Sequence, residues 1–258
     1  MIKVKFTLNR FFLRITMKVF VAFVACFWLC LVVVTFSLAG QPVVSQLLVT
    51  DVSPRSFSVI WIASEPSTCT LRVFDQDKKE LTGLEIISES ASHPPAEDLG
   101  VMKVRVVGLK PDTSYYIKTE TTPKANGKAT IYPVDPMLVQ TEKSTFPVNN
   151  RVLVQKIYYG KGVPGNGSLL ILSVAGCSHP VTGWVGGSTR PPSPYALIDL
   201  NNLYSGLTHR TLQVIGGERM TVVGYGGTRG FDYYISKVPV PTQKTIVELT
   251  PPVVLSSQ

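Results

Sequence analysis

The chain carries three histidines and four cysteines, so each side chain able to serve as base, metal ligand or thiol nucleophile has its own sequence context. Cys177-Ser178-His179 places a thiol and an imidazole two positions apart. A Cys–His pair works when the imidazole takes the thiol proton, and the two partners ordinarily meet through folding from distant segments. Residues two apart on a strand point the same way without being brought into reach. The expectation is therefore a glycine-bounded loop, not a catalytic pair. His93, Cys177, His179 and His209 supply enough donors for a metal, yet no C-x-x-C, H-E-x-x-H or paired-histidine spacing joins them, so neither metal nor cofactor is expected. Clustering of Cys177, His179 or His209 with a carboxylate in a pocket is the arrangement that would favour an enzyme, a hydrolase of envelope polymers with its second half catalytic. Dispersal over separate loops would favour a binding protein.

The glycine pairs Gly186-Gly187, Gly216-Gly217 and Gly226-Gly227 are flanked by strand-like runs. A phosphate loop needs a helix N-terminus behind it, so these pairs predict tight turns. Aromatic side chains remain as the binding signal. Trp184 lies in the stretch TGWVGGSTRPPSPY with Arg190 and Tyr195, and aromatic faces on loops stack on sugars or anchor a protein partner. Trp184, Arg190 and Tyr195 are thus the candidate binding residues, with closure of a small core as the alternative role for Trp184.

The elements that would position these groups are strands. Between Val43 and Thr141 short runs of β-branched and aromatic residues alternate with Pro, Gly, Ser and Asp clusters, and no helical stripe appears. Phe57, Val59 and Trp61 share one face of a strand while Ser56, Ser58 and Ile60 share the other. Leu71 and Val73 repeat the pattern, with Cys69 on the same parity, and Met102, Val104 and Val106 follow opposite Lys103 and Arg105. Within GLKPDTSYYIKTET (108–121), Pro111 fixes φ and Asp112-Thr113 favour a turn, so the chain reverses there. Such a corner in a two-sheet sandwich often carries a Tyr whose hydroxyl bonds back to upstream backbone, and Tyr115 is placed for it.

The spacing Leu109-x-Pro111-x-Thr113-x-Tyr115, preceded by a strand bearing Trp61, resembles a fibronectin type III domain over about residues 43–143. The resemblance implies a seven-stranded sandwich used as a spacer or binding module, with Trp61, Leu109, Pro111 and Tyr115 in structural roles. Thr141–Asn150 (TEKSTFPVNN) has the composition of a linker. Beyond it, 15 of the 20 glycines fall between 160 and 230, dividing apolar runs at Val152–Tyr159, Leu169–Val174, Ala196–Leu200, Thr211–Ile215 and Met220–Val223. Short strands split by glycine turns predict a second β-sandwich over 148–258. The stretches Ile157–Val174 and Ala196–Gly206 are similar to carboxypeptidase regulatory-like modules, sandwiches frequent in exported bacterial proteins. With two histidines, residues 148–258 are too few for a metallophosphatase domain.

The formal charge of +8 invites a nucleic-acid partner. Five of the cations, Lys3, Lys5, Arg10, Arg14 and Lys18, precede residue 40, where there is no acid, which leaves 20 basic against 17 acidic residues. That balance is ordinary solubility and not a phosphate footprint. The five cations lead into the apolar run Val19–Ser37 and the small-residue ending SLAG, so residues 1–39 read as a signal peptide cut after Ala39 or a single-span membrane anchor formed by a hydrophobic helix. Either puts the rest of the chain outside the cytoplasm. Cys26 and Cys30 belong to that segment, leaving Cys69 and Cys177 as two small buried side chains or one disulfide. The expectation is an all-β protein, two Ig-like or fibronectin type III-like sandwiches in tandem, exported to periplasm, cell surface or medium. It would be non-catalytic and contact an envelope protein or glycan through sandwich loops.

Overall fold

The computed structural model describes residues 41–93, 95–125, 127–160, 162–186, 193–240 and 245–255. The predicted signal or anchor, Cys26, Cys30 and Arg190 lie outside these residues. Among the described residues no helix is long and apolar enough to cross a membrane.

Seven strands build the first half: β1 (Val44–Thr50), β2 (Ser56–Ala63), β3 (Ser67–Phe74), β4 (Glu85–Ser88), β5 (Val101–Val107), β6 (Ser114–Pro123) and β7 (Thr130–Gln140). They form two sheets, β1-β2-β5-β4 and β3-β6-β7. With strands lettered A to G in chain order this is ABED against CFG, the seven-stranded immunoglobulin arrangement. Phe57, Val59 and Trp61 of β2 meet Leu71, Val73, Tyr115 and Ile117 of the facing sheet in one apolar core. Two polar contacts fix that core. The Trp61 indole Nε1 donates to Thr121 Oγ1 at 2.9 Å, and the Tyr115 hydroxyl accepts the Lys110 backbone N–H at 2.9 Å. Leu109 is buried beneath this corner, and Thr113 Oγ1 donates to the Pro111 carbonyl at 2.8 Å.

The second half contains β8 (Val152–Tyr159), β9 (Val163–Pro164), β10 (Leu169–Val174), β11 (Val181–Trp184), β12 (Tyr195–Asp199), β13 (Arg219–Tyr225), β14 (Phe231–Lys237), β15 (Ile246–Glu248) and β16 (Val253–Leu255). One sheet runs β11-β10-β13-β14; the other is organised on β8, which pairs with β12, β15, β16 and β9. Leu153, Ile157, Ala196 and Ile198 from the β8 sheet pack on Leu170, Leu172, Val181 and Val222 from the other, so this half is also a two-sheet sandwich.

Thr211–Ile215, expected as a strand from its apolar content, is not one. Apart from the bridge of Thr211 with Tyr204 and the Leu212 N–H on the Leu203 carbonyl, its backbone is held by side chains. Asn149 Nδ2 donates to the Leu212 carbonyl at 2.8 Å, its Oδ1 accepts the Val214 N–H at 2.9 Å, and Arg151 donates to the Val214 carbonyl at 2.7 Å. These bonds satisfy the backbone without a ladder, and no neighbouring strand is needed. The Thr141–Asn150 segment has no regular structure, but it is tied down at both ends: Thr141 and Glu142 are fully buried, and Asn149 is bonded as above. Cys69 and Cys177 are both free thiols. The disulfide alternative is thus not realised, and Cys69 packs at the edge of the first core.

Candidate functional site

Residues 41–258 form a single unit, and the reason lies on the outer face of β2. Ile60 sits opposite the core-facing residues, yet it is fully buried. It packs with Ala96, Leu99 and Val101 from the first half against Leu169, Ile171 and Tyr225 from the second. Two sheet faces that each belong to a separate sandwich therefore make a third apolar layer between them.

Around that layer stand the polar groups. Lys103 of β5, its side chain 7% exposed, places Nζ 2.8 Å from Glu89 and 3.3 Å from Asp51. Asp51 spans to the second half, where its Oδ1 accepts the Thr182 N–H at 2.8 Å and its Oδ2 accepts the Thr182 hydroxyl. Trp184, the last residue of β11, donates its indole N–H to Glu89 at 3.2 Å and stacks on the His93 ring with centroids 4.4 Å apart. One face and the polar edge of Trp184 are thus engaged with the first half. A lysine so deeply placed is tolerated because two carboxylates and their own hydrogen bonds surround it.

The linker supplies a second polar knot. The side chain of Glu142 has no exposure, and both its oxygens are contacted. Oε1 accepts the Ser178 hydroxyl and lies 3.6 Å from His179 Nδ1; Oε2 meets His209 Nδ1 at 3.0 Å. Burial by itself pushes this carboxyl up, but His179, Ser178 and His209 together outweigh burial and hold it below the ordinary carboxylate range. His209 has φ of 55° and Asp51 has φ of 51°. Both non-glycine residues occupy the left-handed region at a cost of order 1–3 kcal/mol each, which the contacts across the junction offset.

The geometry answers the enzyme criterion in two parts. His179 and His209 do cluster with a carboxylate, and sequence spacing did not show it because Glu142 lies in the linker. Cys177 does not gain from the cluster. Burial raises its thiol pKa, the opposite of an activated thiolate. Ser178 donates to the carboxylate and not to an imidazole, so it lacks the hydroxyl–imidazole contact of a serine nucleophile and its base. Among the described residues no group of three or more His, Cys, Asp or Glu side chains is arranged to hold a metal ion.

Of the three aromatic-loop candidates, Trp184 belongs to a strand and to the junction, and Arg190 lies outside the described residues. Tyr195 begins β12, and the Lys156 ammonium sits 5.3 Å over its ring. Neither Trp184 nor Tyr195 lines an open part of the junction between the sandwiches. One such part is a cleft of about 400 Å³ where the two packed sheets diverge, lined by Leu47, Leu48 and Ile60 on one wall and Ile171, Val223 and Phe231 on the other. The Tyr225 hydroxyl closes its floor by donating to the Gln46 carbonyl at 3.2 Å. Sequence patterning missed the cleft because Leu48 and Phe231 are 183 positions apart in the chain.

No protein family matches the chain, and no curated protein does. Among solved structures, a family 28 exopolygalacturonase of Yersinia enterocolitica is 20% identical over 46% of this chain and 21% of its own, with a TM-score of 0.27. The FN1–FN3 domains of chicken CNTN1 are 11% identical over 84% of this chain and 68% of their own, with a TM-score of 0.27. A titin I-band fragment is 6% identical over 81% of this chain and 62% of its own, with a TM-score of 0.19. The chain thus spans about a fifth of the first of these structures. TM-scores this low fall short of a shared fold, and the architecture rests on the strand pairing itself.

Proposed function

We propose that the protein is a non-catalytic binding or structural module of the cell envelope, in which two sandwiches packed face to face present a stiff surface to a protein or glycan partner. The observation that carries this reading is the use of the chemistry-bearing groups. Asp51 and Glu89, with Lys103 between them, bond across the junction to Thr182 and Trp184, and Glu142 ties the linker to Ser178 and His209 of the second sandwich. A rigid scaffold of this kind presents contacts without internal polar chemistry. The envelope location rests on the basic residues before Val19–Ser37 and on that apolar run. Contacts through Tyr195 and Arg190 belong to the same reading.

The mass of the N-terminal peptide, measured on protein isolated from its host with the cell fraction noted, tests the location. A start at Gly40 in the exported fraction supports a freed module, and an intact start in the membrane fraction supports an anchored one. A cytoplasmic protein with its N-terminus intact overturns both.

One observation favours hydrolysis of an envelope polymer. A buried carboxylate on His209 Nδ1 is the orienting half of a base–nucleophile triad. Incubation of the protein with peptidoglycan and with envelope polysaccharide, followed by mass analysis of soluble fragments, separates the two readings. Release that is lost in His209→Gln would establish the hydrolase.

A further inference from the structure

Edge strands expose a row of unpaired backbone N–H and C=O groups, and proteins blunt them with prolines, bulges or charges. The first sandwich follows that practice. β7 carries Pro133 and Pro136 and a shift in its register with β6. β1 carries a bulge between Ser45 and Leu48, with Gln46 at φ of 54°. β14, one of the edge strands of the second sandwich, has neither proline nor bulge; its charges are Asp232, whose Oδ1 accepts the Tyr233 N–H at 2.8 Å, and Lys237. All seven of its residues pair with β13 without interruption, and its one lysine is the last residue. Among the described residues nothing pairs with its other side.

The side chains of β14 point to the same conclusion. Phe231, Tyr233 and Ile235 alternate along one face and are 42%, 59% and 51% exposed. They lie beside Tyr225, Val223 and Thr221 of β13, and Tyr225 and Val223 are already packed in the junction between the sandwiches. The exposed stripe is therefore a continuation of that buried layer, running out through the cleft from Leu48 to Ile235. At its far end the register sets Lys237 beside Arg219, two exposed cations with side chains on the stripe's own face.

We propose that β14 is a docking strand: an extended segment of a partner polypeptide adds to its free edge, apolar at alternate positions that enter the cleft and cover the stripe, and acidic where it passes Lys237 and Arg219. An open backbone edge asks for donors and acceptors at strand spacing, and a one-faced apolar stripe asks for period-two alternation; a polypeptide strand meets both. The proposal rests on the reading of the protein as a binding module and names the site and the class of partner.

The test uses the full chain and an acetylated, amidated heptapeptide that alternates valine with serine and carries one terminal glutamate. Its twin is N-methylated at alternate residues, keeping the side chains and losing the backbone donors. Hydrogen exchange followed by mass spectrometry should show slower exchange in 231–237 with the first peptide and none with the twin. Tyr233→Lys and Ile235→Lys, both at exposed positions, should each weaken binding roughly tenfold or more. Absence of protection in β14, equal binding of the twin, or binding that both lysine variants leave intact would each overturn the proposal. So would concentration-dependent dimerisation abolished by Tyr233→Lys, which would make the occupant a second copy of this chain. An envelope partner still captured by the Tyr233→Lys protein would remove the docking strand and leave the binding function standing, whereas polymer hydrolysis would remove the binding function itself.

Discussion

The two sandwiches solve the same packing problem with different means. The first is organised by large anchors with one polar handle each, Trp61 on Thr121 and Tyr115 on Lys110. The second has an aliphatic core and is braced at its margin by long polar side chains that bond to backbone: Asn149, Arg151 and Gln155 reach segments more than 50 residues away. An anchor works inside a local motif, so its loss is felt in one corner. A brace replaces a strand ladder, so its loss frees several backbone groups at once. The first sandwich also guards its edges and the second leaves β14 open. Regularity of the core and closure of the surface are thus separate properties of a sandwich.

The strongest way to break this comparison is at the layer where the two halves meet. Gly227 has φ of 61°, and a Cβ there would stand 2.0 Å from the Leu99 carbonyl oxygen. Gly227→Ala should cost about 3 kcal/mol or more and separate a single denaturant transition into two, one for each sandwich. Next comes the contrast between brace and anchor. Asn149→Ala strips partners from the Leu200 and Leu212 carbonyls and the Val214 amide and should cost roughly 2–3 kcal/mol. Tyr115→Phe removes one acceptor at a rim-facing corner and should cost about 1 kcal/mol. Equal losses in urea unfolding would end the distinction.

Smaller again is the dependence on pH. The Glu142 carboxyl lies below its ordinary value of 4.5 in the folded protein, so the unfolded chain takes up its proton first as pH falls. Its contribution is present above about pH 4.5 and is lost as pH drops through the folded value. Thermal unfolding from pH 5.5 to pH 3 should show a falling midpoint, and Glu142→Gln should flatten that fall while lowering stability at neutral pH. The smallest effect belongs to the exposed pair of Arg72 and Glu80. Arg72→Ala should leave the unfolding midpoint unchanged within error, because both groups are screened by water.

Much of the first sandwich was legible because its determinants are local. Alternation in 56–61 assigns the core face of β2, and Pro111 with Asp112-Thr113 turns the chain before Tyr115. The candidate site was less so. Glu142 reads as linker acidity until folding brings Ser178 and His209 to it. Ile60 and Lys103, on the mixed faces of their strands, carry no sign of whether water or another sheet will cover them. Trp184 in a glycine-rich stretch reads as a loop aromatic, whereas the backbone around it is recruited to β11 by pairing with Leu169. In each case the missing information is a partner on another element, such as Leu169, 15 residues before Trp184, or His209, 67 residues after Glu142.

The sequence by itself determined the β character of both halves, the corner at Tyr115 and the Trp61 core, because period-two alternation and turn chemistry act within a few residues. Only the tertiary structure decided that the sandwiches share an apolar layer, that Glu142 and two histidines bind each other, and that β14 is left open beside a cleft. Contacts across a sheet face depend on which surfaces meet, and the pattern of a single strand records that a face is apolar or mixed without recording what will lie against it.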